Sequence, residues 1–190
     1  MRIKICGITR EMDARYAEQL GADAIGVVVF SESRRSVPAE RARQIFEAAG
    51  PFTTTVAVSH TRSVEELARM IALHPTAIQI SHPFVFRDDP GVRVIRVIGR
   101  GDPLPEDGDA IIVDDSHGTG KNYDPSYARE IVERSAIPVI LAGGLTPENV
   151  GEAIRQARPY AVDVATGVEA SPGIKDYEKM QAFIAACRRE

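Results

Sequence analysis

Short apolar segments with alternating faces are separated along the chain by segments in which apolar residues recur with the 3.6-residue period of a helix. This alternation predicts βα units that build a parallel sheet. Eight segments have the strand pattern: Ile3 to Cys6, Thr54 to Ser59, Val92 to Ile98, Pro138 to Ala142, and the segments that begin at Ala24, Ala77, Ala110 and Ala161.

Helices are predicted in most of the gaps between these strands. Ser63 with Glu66 has the pattern of a capping box. Asp124 and Thr146 each precede a proline, which is the pattern of an N-cap followed by a first helical residue. The predicted helices are Glu11 to Leu20, Pro38 to Ala49, Val64 to Leu73, Pro125 to Arg134, Pro147 to Ala157, and Asp176 to Arg188.

Two of the connections lack a helical pattern. Proline and aspartate are frequent between Gln79 and Val92, and again between Arg100 and Ala110, which predicts turns or loops for the fourth and fifth crossovers. Eight strands with such short connections predict a compact (β/α)₈ TIM barrel, an α/β fold that spans residues 1–190 as one domain. An open, doubly wound sheet is the alternative.

Composition narrows the class of protein. The formal net charge of −4 argues against nucleic acid as the main partner, because phosphate backbones are bound by clustered positive charge. No apolar run approaches the roughly 20 residues that span a bilayer, so we expect a cytoplasmic protein without a membrane partner. The two cysteines, Cys6 and Cys187, have no Cys-x-x-Cys or histidine cluster beside them, so no metal site is predicted.

Two strand ends carry residues suited to acid–base chemistry. Cys6 ends the first strand on the same face as Lys4, and it is either a reactive thiol or a small buried packing residue. Asp114 ends the sixth strand with the parity of Ile112, which we expect to face inward. A carboxylate against apolar neighbours could act as a general acid, and the alternative role is loop capping.

Glycines follow the seventh and eighth strands. Gly143 and Gly144 precede a well-marked helix, and Gly167 lies in the corresponding place one unit later. Glycine lets backbone N–H groups approach an anion closely, and the loops after strands 7 and 8 of such barrels often hold phosphate. Ordinary turn glycines are the alternative.

Further polar residues lie at the same predicted mouth. Arg34 and Arg35 follow the second strand, and a guanidinium suits a carboxylate ligand, although ordinary surface arginine is the alternative. Asp163 either faces the mouth or pairs with Lys4. The segment Gly118 to Lys121 lacks the flanking residues of a nucleotide P-loop and is predicted to be a loop over the mouth.

Taken together, these segments resemble the phosphoribosylanthranilate isomerase family of tryptophan biosynthesis. The resemblance extends over nearly the whole chain. It rests on Lys4 to Thr9, Gly21 to Gly26, Ser33 to Arg35, Asp114 with Gly118 to Lys121, Ala142 to Val150, and Asp163 to Glu169.

The family performs an Amadori rearrangement of N-(5-phosphoribosyl)anthranilate and uses neither metal nor organic cofactor. The resemblance implies that Asp114 is the general acid and Cys6 the general base, and we expect a neighbour such as Lys4 to favour the thiolate. It also implies that Arg35 binds the anthranilate carboxylate and that Asp163 lies near the anthranilate. The expected phosphate ligands are the backbones of Gly143, Gly144 and Gly167.

One departure from the family concerns the fourth strand. The family usually has Gln-Leu-His-Gly there, whereas this chain has Gln79, Ile80, Ser81 and His82, so the histidine should point the other way. Two alternative functions remain open at this stage: another phosphate-binding barrel enzyme of tryptophan or histidine biosynthesis, or a non-catalytic barrel that binds a phosphate ligand. The sequence leaves the oligomeric state open, with a homodimer as one alternative.

Overall fold

Eight parallel strands close into a barrel in chain order. The structure is a computed structural model that describes residues 1–114 and 124–190. The first strand pairs with the last, Lys4 opposite Asp163, so the (β/α)₈ prediction is confirmed and the open sheet is wrong. The strands are β1 (Arg2–Ile5), β2 (Ala24–Val28), β3 (Thr54–Ser59), β4 (Ala77–Ile80), β5 (Arg93–Ile98), β6 (Ala110–Val113), β7 (Val139–Leu141) and β8 (Ala161–Val164).

Helices lie close to the predicted segments. Asp124 and Asp176 cap two of them: Asp124 accepts hydrogen bonds from the N–H groups of Ser126 and Tyr127, and Asp176 accepts one from Lys179. None of the helices in the described residues is long and apolar enough to cross a membrane. The helices are α1 (Glu11–Gln19), α2 (Ala39–Ala48), α3 (Val64–Ile71), α4 (Pro125–Arg134), α5 (Val150–Ala157) and α6 (Tyr177–Arg188).

One predicted helix start is wrong, and one predicted capping box forms only in part. Helix α5 begins at Val150 rather than Pro147, because Asn149 folds its side chain back onto the preceding turn and bonds the N–H of Thr146 and the carbonyl of Gly144. The capping box at α3 forms only in part. Ser63 accepts from the N–H of Glu66, but the carboxylate of Glu66 bonds the hydroxyl of Thr61 instead of the N–H of Ser63.

The fourth and fifth crossovers contain no helix, as predicted; both connections lie within the described residues. Arg96 lies on the outer face of β5, which no helix of the described residues covers. Its neighbours Ile95 and Val97 face the barrel interior, so Arg96 faces outward. Its guanidinium donates to the carbonyl of Phe84 at 2.7 Å and forms an ion pair with Asp107. A buried arginine thereby holds the two loops that replace helices here.

The interior of the barrel changes from apolar to polar toward the carboxyl ends of the strands. Small and branched side chains from strands β2 to β8, together with Cys6 just after β1, form its apolar part. Above them Lys4, Gln79 and Asp163 are buried together, each with less than a tenth of its surface exposed. A polar level of this kind marks the end of the barrel at which ligands bind.

A small hairpin follows the last barrel strand and was not predicted. A 3₁₀ turn, Thr166–Val168, leads into strand β9 (Glu169–Ser171), which pairs antiparallel with β10 (Ile174–Lys175). Its tip joins the loop after β1, because the hydroxyl of Thr9 donates to the carbonyl of Gly173. At the mouth of the barrel, the hairpin therefore connects the segment after β8 with the loop after β1.

Candidate active site

The carboxyl ends of the strands open into a cleft of about 1110 Å³. A smaller recess of about 60 Å³ adjoins it and shares Asp114 and Asp163 with the cleft. All residues predicted above to be catalytic or substrate-binding line one or both of these cavities: Cys6, Arg35, Asp114, Asp163, Gly143, Gly144 and Gly167.

Cys6 follows β1 directly and lies at the floor of the cleft. Its N–H donates to the carbonyl of Val164 at 2.8 Å, which continues the β1–β8 pairing by one residue and fixes the backbone below the thiol. Gly7 then turns the chain with φ of 73°, in the left-handed region that favours glycine. The thiol is buried but borders the cleft, so it is accessible to a ligand there.

Lys4 connects three strands beneath the thiol. Its Nζ donates to Oε1 of Gln79 at 2.8 Å and to Oδ1 of Asp163 at 3.0 Å. Sequence reasoning had left two roles open for Asp163, and the structure realises both: Asp163 pairs with Lys4 and also borders the cleft. Burial works against the ammonium, yet Asp163 and Cys6 outweigh it and raise the pKa of Lys4, which keeps this side chain charged.

Opposing effects act on the thiol of Cys6. Burial raises its pKa, because a thiolate loses its hydration there, while the nearby ammonium groups of Lys4 and Lys175 act in the opposite direction. The net pKa of Cys6 is raised. The expectation that Lys4 favours the thiolate therefore holds for the contribution of Lys4 alone, but burial is the larger effect.

Arg35 reaches over the turn after Cys6. Its Nε and Nη2 donate to the two carboxylate oxygens of Glu169 at 2.8 and 2.7 Å, and Nη2 also donates to Thr166. Gly7 provides the room for this side chain, because a Cβ there would lie 2.6 Å from Cδ of Arg35. Among the described residues Nη1 has no hydrogen-bond partner, so this nitrogen remains available for a ligand.

Glu169 and Lys175 support the site through Arg35, although neither borders the cleft or the recess, and sequence reasoning missed both. Oε1 of Glu169 accepts from Nζ of Lys175 at 3.1 Å as well as from Arg35. Although burial would raise it, these two cations lower the pKa of Glu169. A fully buried lysine and a carboxylate thus fix the guanidinium of Arg35 in one orientation. Glu169 ends the segment Asp163 to Glu169, so the motif contained the signal.

The recess is formed by the loops after β7 and β8. Gly143 and Gly144 adopt φ of 88° and 63°, which only glycine tolerates readily. Gly167 brings the two loops together, because a Cβ on it would lie 2.0 Å from the carbonyl oxygen of Leu145. Two tight glycine loops thus line a recess of about 60 Å³, and backbone N–H groups of such loops are the kind of donor that binds an anion.

Asp114 follows β6 and borders both cavities, which confirms its inward parity. Strands β7 and β8 separate it from Cys6, so the carboxylate and the thiol face the cleft from different sides. The neighbouring Asp115 and the predicted loop Gly118 to Lys121 lie outside the described residues.

The histidine after β4 points away from the cleft, as its position predicts. Ser81 borders the cleft, whereas the ring of His82 packs edge-on against Phe84 with centroids 4.6 Å apart. Arg34 also lies on the cleft border, but it is exposed and has no ion pair among the described residues.

A closed (β/α)₈ barrel with a thiol, a carboxylate and a glycine-lined recess at the carboxyl ends of its strands has the architecture of the phosphate-binding barrel enzymes. A family model described as N-(5'-phosphoribosyl)anthranilate (PRA) isomerase matches residues 3–186. The chain belongs to this family.

Relatives cover almost the whole chain. The N-(5'-phosphoribosyl)anthranilate isomerase of Methanoregula boonei is 63% identical over 189 residues, with 99% of this chain and 97% of the relative covered. The enzyme of Haloferax volcanii is 42% identical over 207 residues, with 98% and 93% covered.

Solved structures named as phosphoribosylanthranilate isomerases also superimpose on the whole chain. The phosphoribosyl anthranilate isomerase of Thermus thermophilus superimposes with a TM-score of 0.89 at 36% identity, covering 100% of this chain and 99% of that one. A further isomerase structure, in complex with reduced 1-(o-carboxyphenylamino)-1-deoxyribulose 5-phosphate, superimposes with a TM-score of 0.84 at 31% identity over the full length of both chains.

Proposed function

We propose that this chain catalyses the Amadori rearrangement of N-(5-phosphoribosyl)anthranilate to 1-(2-carboxyphenylamino)-1-deoxyribulose 5-phosphate, with Asp114 as general acid and Cys6 as general base. The observation that carries the proposal is the placement of these two groups on β6 and β1, on different sides of one cleft, with an anion recess beside them. An isomerisation of this kind requires a proton donor and a proton acceptor that reach different atoms of the sugar.

The proton transfers follow from this arrangement. Asp114 donates a proton to the ring oxygen, the bond between that oxygen and C1 breaks, and the anthranilate nitrogen forms an iminium with C1. The Cys6 thiolate then removes the proton from C2, and the electron pair gives an enolamine. A proton added at C1 and the loss of the hydroxyl proton at C2 yield the ketone, so atoms and electrons balance without a redox partner.

Substrate binding is assigned to the remaining residues of the cleft. The free edge of Arg35 at Nη1 binds the anthranilate carboxylate, because a guanidinium fixed by Glu169 is an oriented donor. The backbones of Gly143, Gly144 and Gly167 hold the phosphate in the recess. Asp163 lies near the anthranilate and keeps Lys4 in place below the thiol.

The test is turnover of freshly prepared phosphoribosylanthranilate, followed by the loss of its fluorescence. We expect wild-type protein to convert it, and Cys6→Ser and Asp114→Asn each to lose about 10²- to 10⁴-fold in kcat while remaining folded. Asp88→Asn, a change to an exposed aspartate outside the cleft, is the matched control and should retain full activity. Binding of the substrate by wild type without conversion would favour the non-catalytic barrel. Conversion of a different sugar phosphate instead would favour another barrel enzyme.

The cellular setting of this activity is also part of the proposal. Cys6 and Cys187 are both free thiols, and a catalytic thiol stays reduced in the cytoplasm, where disulfides are rare. The homodimer stays a prediction, which sedimentation of the purified protein tests directly.

A further inference from the structure

Gly26 lies in the interior of strand β2, where glycine is unfavourable. Its neighbours Ala24 and Val28 pack inside the barrel, while Ile25 and Val27 pack against the outer layer, so a side chain at position 26 would point inward. A strand is weakened by glycine, which offers no side chain to pack. The φ of Gly26 does not fall in the left-handed region, so the backbone conformation does not require glycine.

The lack of space beside Gly26 explains why glycine is present at this position. A Cβ built there would lie 2.7 Å from Sγ of Cys6, and 3.1 and 3.2 Å from Cε and Nζ of Lys4. The thiol and the ammonium therefore both border the volume that a side chain of β2 would fill. The strand pairing brings them there, because Lys4 lies opposite Ala24 and the next inward residues of the two strands are Cys6 and Gly26.

Lys4 has no freedom to make room for a larger residue. Its Nζ is buried and held by Gln79 and Asp163 at 2.8 and 3.0 Å. Cys6, by contrast, has a single side-chain torsion that would move its sulfur away. The backbone of Gly26 is itself held in place: its carbonyl accepts a hydrogen bond at 2.9 Å from the N–H of Ile8, in the turn that follows Cys6.

We propose that Gly26 is a positioning residue: the absence of a side chain at this place keeps the Cys6 thiol beside the Lys4 ammonium and in the position from which it removes the substrate proton. The inference rests on the proposed role of Cys6. A methyl group at position 26 turns the thiol away from Lys4, since the sulfur is the only one of the two groups that can move.

The kinetic test compares Gly26→Ala with Gly151→Ala. Gly151 lies in α5, where an added Cβ meets only the flexible carboxylate of Glu190 and the side chain of Arg155. We expect Gly26→Ala to lower kcat by about 10- to 100-fold, less than the roughly 10²- to 10⁴-fold that a whole acid–base group contributes because the thiol is displaced and not removed, with KM changed less than about threefold. Gly151→Ala should retain both constants. An unchanged kcat in folded Gly26→Ala would overturn the proposal.

A second measurement does not depend on the activity. The pH dependence of iodoacetamide alkylation at Cys6, read by mass spectrometry of its peptide, should shift upward when Lys4 is changed to Met in the wild-type background. The same Lys4→Met change should cause little further shift in the Gly26→Ala background, because the contact is already broken. Equal shifts in both backgrounds would overturn the proposal, even if wild type proved to have no isomerase activity and the proposed function itself failed.

A further variant tests the proposal through stability and does not need active protein. If Gly26→Ala is too unstable to purify, the double variant Cys6→Ala with Gly26→Ala lacks the sulfur that the methyl group displaces. We expect it to regain much of the melting temperature that Gly26→Ala loses. A double variant no more stable than Gly26→Ala would show that the sulfur does not occupy this space, and the proposal would be wrong.

Discussion

The thiol of Cys6 is placed where catalysis and solvation have opposing requirements. Abstraction of a carbon-bound proton needs a thiolate, and burial disfavours that thiolate. The sequence places Lys4 two residues earlier on the same strand face, and its ammonium offsets part of the cost. If Cys6 is the base, as proposed, its raised pKa is the consequence of placing that base where water is excluded.

The first prediction concerns the titration of this thiol. We expect the alkylation rate of Cys6 to rise with pH through an inflection above that of an unperturbed cysteine, about 8.5, because the net pKa of Cys6 is raised. Lys4→Met should move the inflection further up, since it removes the largest effect that lowers the pKa. Cys187, whose pKa burial raises to about 12, serves as an internal reference in the same samples. An inflection below that of free cysteine would contradict the prediction.

A second prediction concerns Glu169, which fixes the guanidinium of Arg35. Glu169→Gln replaces one of two acceptor oxygens by an amide donor, so the two-point contact with Nε and Nη2 is lost. We expect KM for the substrate to rise about tenfold, equivalent to about 1.4 kcal/mol, with a smaller change in kcat. Steady-state kinetics gives both constants.

The control for this variant is Glu133→Gln. Glu133 also pairs with an arginine, Arg129, but on the exposed surface of α4. It should leave KM unchanged, because exposed ion pairs contribute little. A loss of kcat without any change in KM for Glu169→Gln would assign Glu169 to the chemistry rather than to orientation of Arg35.

At the scale of elements, the two crossovers without helices depend on Arg96. Arg96→Met should lower the free energy of unfolding by about 1–3 kcal/mol, because the buried carbonyl of Phe84 loses its donor. Activity should persist, since the side chain lies outside the barrel. Chemical denaturation measures the loss.

Arg93→Met, on the same strand, is the matched control. Arg93 pairs with Asp109 in a largely exposed position, and its loss should cost no more than about 0.5 kcal/mol. Equal losses for the two variants would mean that Arg96 does not hold these loops.

The elements also show which parts of the structure the sequence could predict. Local signals worked where the partner is local: Asp124 bonds N–H groups two and three residues away, and α4 begins at Pro125, as that signal indicates. They misled at Pro147, because Asn149 uses its side chain for the turn instead. The contact of Arg35 with Glu169 spans 134 residues of sequence, so no local pattern could reveal it.

The candidate site was easier to predict than the contacts that support it. Each predicted site residue follows a strand, apart from Asp163, which lies within β8 near its carboxyl end, and a closed parallel barrel brings all strand ends to one mouth. Glu169 and Lys175 were missed because they belong to a short hairpin whose strands are only three and two residues long. Segments of that length have no measurable periodicity.

At the scale of the whole molecule, stability and activity depend on different parts of the barrel. The two buried cysteines allow a direct comparison, because the same substitution can be made at both. Cys187 lies in α6 within the apolar layer between helices and strands, and Cys6 borders the cleft. Cys187→Ala should lower the free energy of unfolding by about 1 kcal/mol through the space it leaves, with kcat unchanged.

Cys6→Ala should have the opposite profile. We expect kcat to fall by at least about 10²-fold, because the proposed base is removed. The free energy of unfolding should stay equal or rise, because a buried polar thiol beside two ammonium groups is retained for function at some cost in stability. Denaturation curves and turnover measured on the same preparations separate the two effects. A large loss of turnover in Cys187→Ala, or full turnover in Cys6→Ala, would mean that the thiol at the mouth is not the base.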